Sequence, residues 1–175
     1  MSEQAGYRTP PNHGLIMGID PGPTESAYAI VRPDYSLVKA TKAQNYEVKC
    51  ALSEAIIDQG VRVVVIEGLA CYARPVGRET FETAYMVGDL RTLVTVDGAE
   101  WLLYDRPTYA NAIAGTNKVT DAMLYQALRL RFGDANKGGP LYGLRGNSDL
   151  RSAYALAVFH LDCLAHPERV KKGRK

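Results

Sequence analysis

Three carboxylates stand at the ends of apolar runs, and that placement is the first sign of chemistry in this chain. Asp20 closes "LIMGID" and is followed at once by the Pro21-Gly22-Pro23 corner. Glu67 closes "VRVVVIE" and precedes Gly68, while Asp149 opens "DLRSAYALA". A charge at the edge of a core is costly unless something compensates it. Asp-Pro-Gly is also ordinary turn chemistry, and an acid in the first turn of a helix stabilises it by about 0.5–1 kcal/mol without further purpose. Neither habit accounts for three acids at the ends of three core elements together. Close to one another, such acids raise each other's pKa unless a cation lies between them. Oxygen ligands at a partly solvated edge suit Mg²⁺ or Mn²⁺ better than zinc. Two strand-end carboxylates plus one on a helix can hold a pair of such ions about 4 Å apart, which suits phosphodiester hydrolysis. Ser152, one turn beyond Asp149 on the same helical face, joins the set.

These residues meet only if the right elements carry them. "LIMGID", "ESAYAIVR" and "YSLVKATKA" read as three strands of an antiparallel meander, with Pro23 and "RPD" at the corners. Apolar residues at Val48, Leu52, Ala55 and Ile56 recur at helical spacing over Tyr46 to Asp58, and Gly60 ends that segment. "VRVVVIEG" fits a fully buried central strand. A neighbouring first and fourth strand would set Asp20 and Glu67 side by side at the carboxyl edge, where open α/β sheets build their sites. A loop, "LACYARPVGRET", leads to a helix through about Val96, and "EWLLYD" is the fifth strand. "PTYANAIAG" and "KVTDAMLYQALRLRF" read as a short and a longer helix, residues 133–146 as a Gly-rich surface loop, and "LRSAYALAVFHLDCLA" as the last helix. The fold class is mixed α/β.

At 175 residues the chain reads as one domain, 15–166, between a flexible arm, 1–14, and a basic tail, 167–175. The polar start "MSEQAGYRTPPNHG" has no apolar h-region and no stretch is long enough to span a bilayer, so a cytoplasmic protein is expected. Three cysteines without short paired spacing point to free buried thiols, and the three histidines lack ligand partners at a convincing spacing. Residues 129–175 hold ten Lys/Arg against four acids, so the last stretch carries +6 while the whole chain carries only +2. That asymmetry fits a polyanionic partner such as nucleic acid, or else a solvated tail.

"MGIDPGPTESAYAIV", "VVVIEG", "AGTNKVTDAMLYQALRLRFG" and "DLRSAYALAVFH" resemble, in order and spacing, the RuvC-type Holliday junction resolvases, from about Leu15 to Leu164. The resemblance implies an RNase H-like five-stranded mixed β-sheet flanked by α-helices. It implies a homodimer that nicks opposed strands of a four-way DNA junction with Mg²⁺ or Mn²⁺, two ions per site, leaving 5′-phosphate and 3′-hydroxyl ends. Carried over by position, Asp20, Glu67 and Asp149 are the catalytic, metal-binding acids, and Lys118 is the basic residue beside the scissile phosphate. Ser152 stands where better-known members carry a further Asp, which leaves three acids and a weaker or attenuated second metal position.

The same resemblance makes the loop after Glu67 the one that enters the junction, with Tyr72 or Phe81 stacking on a base, an interaction worth about 1–3 kcal/mol. Arg74 and Arg78 are expected on phosphates, and Arg145 and Arg151, flanking Asp149, on the same backbone. Met86, Val87, Leu90, Leu93 and Val94 form either a dimer interface or core. Two rival functions remain open: an RNase H-like nuclease acting on RNA or an RNA–DNA hybrid, and a catalytically attenuated junction-binding protein.

Overall fold

The computed structural model describes residues 14–69 and 76–167. Its centre is one five-stranded sheet made of β1 (Leu15–Asp20), β2 (Glu25–Val31), β3 (Leu37–Gln44), β4 (Val61–Gly68) and β5 (Glu100–Asp105), in the order β3-β2-β1-β4-β5. β1, β2 and β3 form the antiparallel meander, and β4 lies parallel to β1 and to β5. The mixed five-stranded sheet is the one the family resemblance implied, and β1 beside β4 meets the condition for bringing Asp20 and Glu67 together.

Alternation along each strand sends neighbouring side chains to opposite faces. Met17, Ile19, Val64 and Ile66 fall on one face, under α1 (Asn45–Ile57) and α2 (Arg78–Val96), where Val48, Leu52, Met86 and Leu90 meet them. Ile16, Ala27, Val63 and Val65 fall on the other, under α3 (Arg106–Ala114), α4 (Asp121–Phe132) and α5 (Ser148–Ala165). α5 runs across β1 and β2 with Tyr154, Leu156 and Ala157 fully buried. Gly18 makes that approach possible, because a β-carbon there would overlap the Ala153 carbonyl.

Several boundaries differ from the sequence reading for local reasons. β3 starts at Leu37, since residues 32–36 form a turn in which Asp34 accepts from the Ser36 amide and Tyr35 takes φ +68°. α4 starts at Asp121 because Thr120 caps it, its Oγ1 accepting from the Met123 amide. Lys118, read as the first residue of that helix, therefore lies outside it in a left-handed conformation at φ +58°. The Gly-rich segment is not simply surface: it contains a 3-10 turn, Tyr142–Leu144, with Leu141 and Leu144 fully buried. The α2 stripe resolves as core, since Met86, Leu90 and Val94 pack under the sheet while Phe81 and Tyr85 stay 54% and 69% exposed. Cys50 is exposed rather than buried, and Cys163 is partly buried. His160 has the structural place expected of it, buried with Nδ1 3.3 Å from the Tyr104 hydroxyl. Residues 1–13 and 168–175, most of the arm and the tail, lie outside the described residues. No described helix is long and apolar enough to cross a membrane.

Candidate active site

β1 and β4 deliver the first two acids to one place. Ile19 pairs with Ile66, so Asp20 and Glu67 are the next residues on adjacent parallel strands. Asp20 shares its face with Gly18 and Ile16, and Glu67 with Val65, so both carboxylates emerge beneath α5. The corner behind Asp20 is pinned rather than loose. The Gly22 amide donates to Ser26 Oγ (3.1 Å), and Asn45 Nδ2 donates to the Gly22 carbonyl (3.0 Å).

Burial is the main electrostatic fact at Asp20. It pushes the carboxyl up from 3.8 to about 8, with the charges of Glu67 and Asp149 adding to the rise and Arg106 opposing it. Glu67 is also raised, mainly by burial, although the Tyr109 hydroxyl donates to its Oε2 at 2.7 Å. Arg106 opposes the rise at both groups without cancelling the effect of burial.

Asp149 behaves differently. Asn147 caps α5 by accepting from the Asp149 and Leu150 amides, which sets Asp149 in the first turn as expected. Its Oδ2 lies 2.9 Å from Lys42 Nζ, and that hydrogen bond holds the carboxyl below its ordinary range. Lys42 reaches it along a row of the sheet, because Asp20 pairs with Ala27 and Ala27 with Lys42. Ser152 is only 3% exposed and sits over the same end of the sheet.

The sequence reading missed Arg106, Tyr109, Asp121 and Lys42. Arg106 Nη1 donates to Ser152 Oγ (2.9 Å) and to the Tyr109 hydroxyl (3.0 Å), and it lies 4.0 Å from Glu67 Oε2. Its Nη2 pairs with Asp121 in the first turn of α4. The signal was present: Arg106 follows "EWLLYD" as Pro21 follows "LIMGID", directly after the acid that ends a parallel strand.

The remaining expected residues scatter. Lys118 lines a cavity of about 340 Å³ beside the site, together with Arg106, Pro107, Ala110 and Asn117. Arg151 stacks its guanidinium over Tyr125 (4.4 Å) and donates to the Asn147 carbonyl. Arg145 stacks on Tyr142 (4.5 Å) and donates to the Ala135 carbonyl. Arg78 opens α2 fully exposed, near Phe81, and pairs with Glu82 at 3.2 Å. Tyr72 and Arg74 lie outside the described residues.

The donor set fits a hard divalent cation. Asp20, Glu67 and Asp149 offer oxygen only, and the raised acids Asp20 and Glu67 are where added positive charge would be most stabilising. Among the described residues no three acids, histidines or cysteines converge into a ready-made cage. Asp20 and Glu67 form a half-site, with Asp149 drawn to Lys42. Mg²⁺ suits such a half-site because it binds through one or two carboxylates and keeps several waters.

No family model and no curated protein sequence matches the chain. Solved structures do. The chain is similar to RuvC from Thermus thermophilus, with a TM-score of 0.66 at 16% identity over 89% of this chain and 96% of that one. T. thermophilus RuvC in complex with Holliday junction substrate gives 0.67 at 18% identity, over 92% and 97%. The fowlpox virus Holliday junction resolvase gives 0.50 at 16% identity, over 85% and 98%. The likeness runs along nearly the whole of those proteins, so the chain, with its five-stranded mixed sheet flanked by helices, has the RNase H-like fold of the RuvC structures.

Proposed function

We propose that this protein is a metal-dependent, structure-selective DNA endonuclease that resolves four-way junctions. The observation that carries the reading is the placing of Asp20 and Glu67 side by side on adjacent parallel strands beneath α5, partly buried and raised in pKa. The fold shared with a RuvC bound to Holliday junction substrate supports the choice of DNA class.

Asp20 and Glu67 would hold Mg²⁺ or Mn²⁺, with Asp149 joining on release from Lys42. Bound there, a divalent ion supplies a Lewis acid for the scissile phosphate and lowers the pKa of coordinated water. Tyr109 fixes Glu67 in place through its donated hydrogen bond. Lys118, at the cavity beside the site, is assigned to the phosphate next to the one cut. Arg78 and Phe81, at the exposed start of α2, are assigned to the junction arms together with Tyr72 and Arg74. Arg145 and Arg151 line the backbone of the same duplex near α5. The products are 5′-phosphate and 3′-hydroxyl ends. A symmetric dimer would place two such sites on opposed strands, and exposed Tyr85 on α2 is available for its contact.

The test is nicking of a synthetic four-way junction with Mg²⁺ or EDTA, beside Asp20→Asn, with linear duplex and RNA–DNA hybrid as competitors. Paired, metal-dependent cuts lost in Asp20→Asn are expected. Preferential cutting of the hybrid would establish a ribonuclease instead. Tight junction binding without cuts, in Mn²⁺ as well, would leave a binding protein.

A further inference from the structure

We infer that Arg106 is a catalytic residue of this site, its guanidinium meeting a non-bridging oxygen of the scissile phosphate and supplying, at the Ser152 end, the positive charge that a second ion would otherwise bring. The inference rests on the nuclease reading above, and four observations lead to it.

Ser152 offers a neutral hydroxyl where a carboxylate would attract an ion, and that hydroxyl already accepts from Arg106 Nη1 at 2.9 Å. A divalent ion at the same spot would face a fixed guanidinium as its neighbour, a repulsive arrangement. Arg106 is also pre-positioned. Tyr109, Ser152 and Asp121 grip it from separate elements, α3, α5 and α4, so its planar fork is set before substrate arrives.

Those contacts occupy three of the five N–H donors that a guanidinium carries, which leaves Nε–H and one on Nη2 for an oxyanion. Finally, Arg106 opens to solvent. It is 31% exposed and lines the same cavity as Lys118, so a phosphate lying over Asp20 and Glu67 can reach it. A purely structural arginine, serving only to neutralise Glu67 and Asp121, is the competing role.

Binding and cutting separate the two. Manganese titration of the full chain, read by electron paramagnetic resonance, is expected to give one tightly held ion per chain. Arg106→Ala is expected to hold Mn²⁺ at least as tightly, because a competing cation is gone, while cutting the junction about 100-fold more slowly. Free guanidinium ion is expected to restore part of that rate. Should Arg106→Ala fail to fold, Arg106→Lys keeps the charge and loses the fork, and about tenfold slower cutting with one ion is expected.

Two tightly held ions in a wild-type chain that cuts junctions would overturn the role of Arg106 and leave the nuclease reading standing. So would Arg106→Ala cutting within threefold of wild type, or losing Mn²⁺ along with activity as a structural residue would. A wild-type chain that neither binds Mn²⁺ nor cuts a junction would overturn the nuclease reading, and this assignment with it.

Discussion

Lys42 Nζ lies 2.9 Å from Asp149 Oδ2, although one belongs to the outermost strand of the sheet and the other to the first turn of the last helix. The pair crosses over Ala27, whose small side chain leaves the row low between Lys42 and Asp20. One cation therefore restrains the third acid while the first two stay undercompensated. Replacing it, as Lys42→Gln, removes a charge that competes with a bound ion. Two unit charges 4 Å apart in water interact by about 1 kcal/mol, so Mg²⁺ affinity is expected to rise about fivefold. Calorimetric titration checks this, and unchanged or weaker affinity would mean that Asp149 takes no part in holding the ion.

Asp20 links stability to pH. Its carboxyl ionises near 3.8 in the unfolded chain and near 8 in the folded, metal-free protein. Between those values the native state holds the extra proton, so the contribution of Asp20 to stability is fullest below pH 4 and is lost as pH rises toward 8. Asp20→Asn, which cannot ionise, is expected to raise the melting temperature at pH 8 by several degrees and at pH 5 by well under half as much. Scanning calorimetry in EDTA at both pH values measures the difference.

Metal binding should follow the same proton. At pH 7 an incoming ion has to displace it from Asp20, so apparent Mg²⁺ affinity is expected to climb about tenfold per unit from pH 6 to 8 and then level off. Titration in buffers of different ionisation enthalpy would show close to one proton released per ion at pH 7. No proton release would place the ion away from Asp20.

Gly18 holds the helix to the sheet. A methyl at this position meets the Ala153 carbonyl, which belongs to rigid helix backbone rather than to a side chain that can swing away. Gly18→Ala is expected to cost about 1–3 kcal/mol of stability by overpacking, and to cut activity more than the lost folded fraction explains, because Ser152 and Asp149 ride on the displaced helix. Urea unfolding and nicking rates on the same sample separate the two effects.

Tyr109 joins Arg106 to Glu67, accepting from the first at 3.0 Å and donating to the second at 2.7 Å. Tyr109→Phe keeps the buried ring and removes both hydrogen bonds. A loss of about 1–3 kcal/mol is expected, with the Glu67 carboxyl rising further once its donor is gone. Carbon-13 NMR of the Glu67 carboxyl against pH reports that rise directly.

Much of this site could be read from the chain alone, and the reason is periodicity. Unbroken apolar runs ending in Asp20 and Glu67 imply buried strands with acids at one edge, and the largely apolar segment after Asp149 implies a helix that the third acid opens. What could not be read was anything depending on side chains meeting across the sheet. Lys42 lies on a strand whose one other charge, Lys39, is exposed, and nothing local marks it as different. Arg106 looks like the first residue of an ordinary helix until Ser152, 46 positions later, arrives beside it. Lys118 falls outside the helix because Thr120 caps it and Asp121 begins it. The α2 stripe was ambiguous for a related reason: core and interface demand the same residues, and only packing under β4 decides.

The hairpin joining β2 to β3 carries its irregularity next to the turn, between Ile30 and Val31, while pairing from Ile30 down to Glu25 is regular. That layout sorts the positions at which the gene can gain or lose codons. A residue added at the turn can be absorbed by the existing bulge, leaving Ala27 opposite Lys42. One added between Lys39 and Lys42 would rotate the lysine to the α1 face and strand Asp149 without its partner. Length variation among descendants of this chain is therefore expected to collect at the turn, with the lower half of the hairpin kept at fixed length by a charge it carries for a helix on the other side of the molecule.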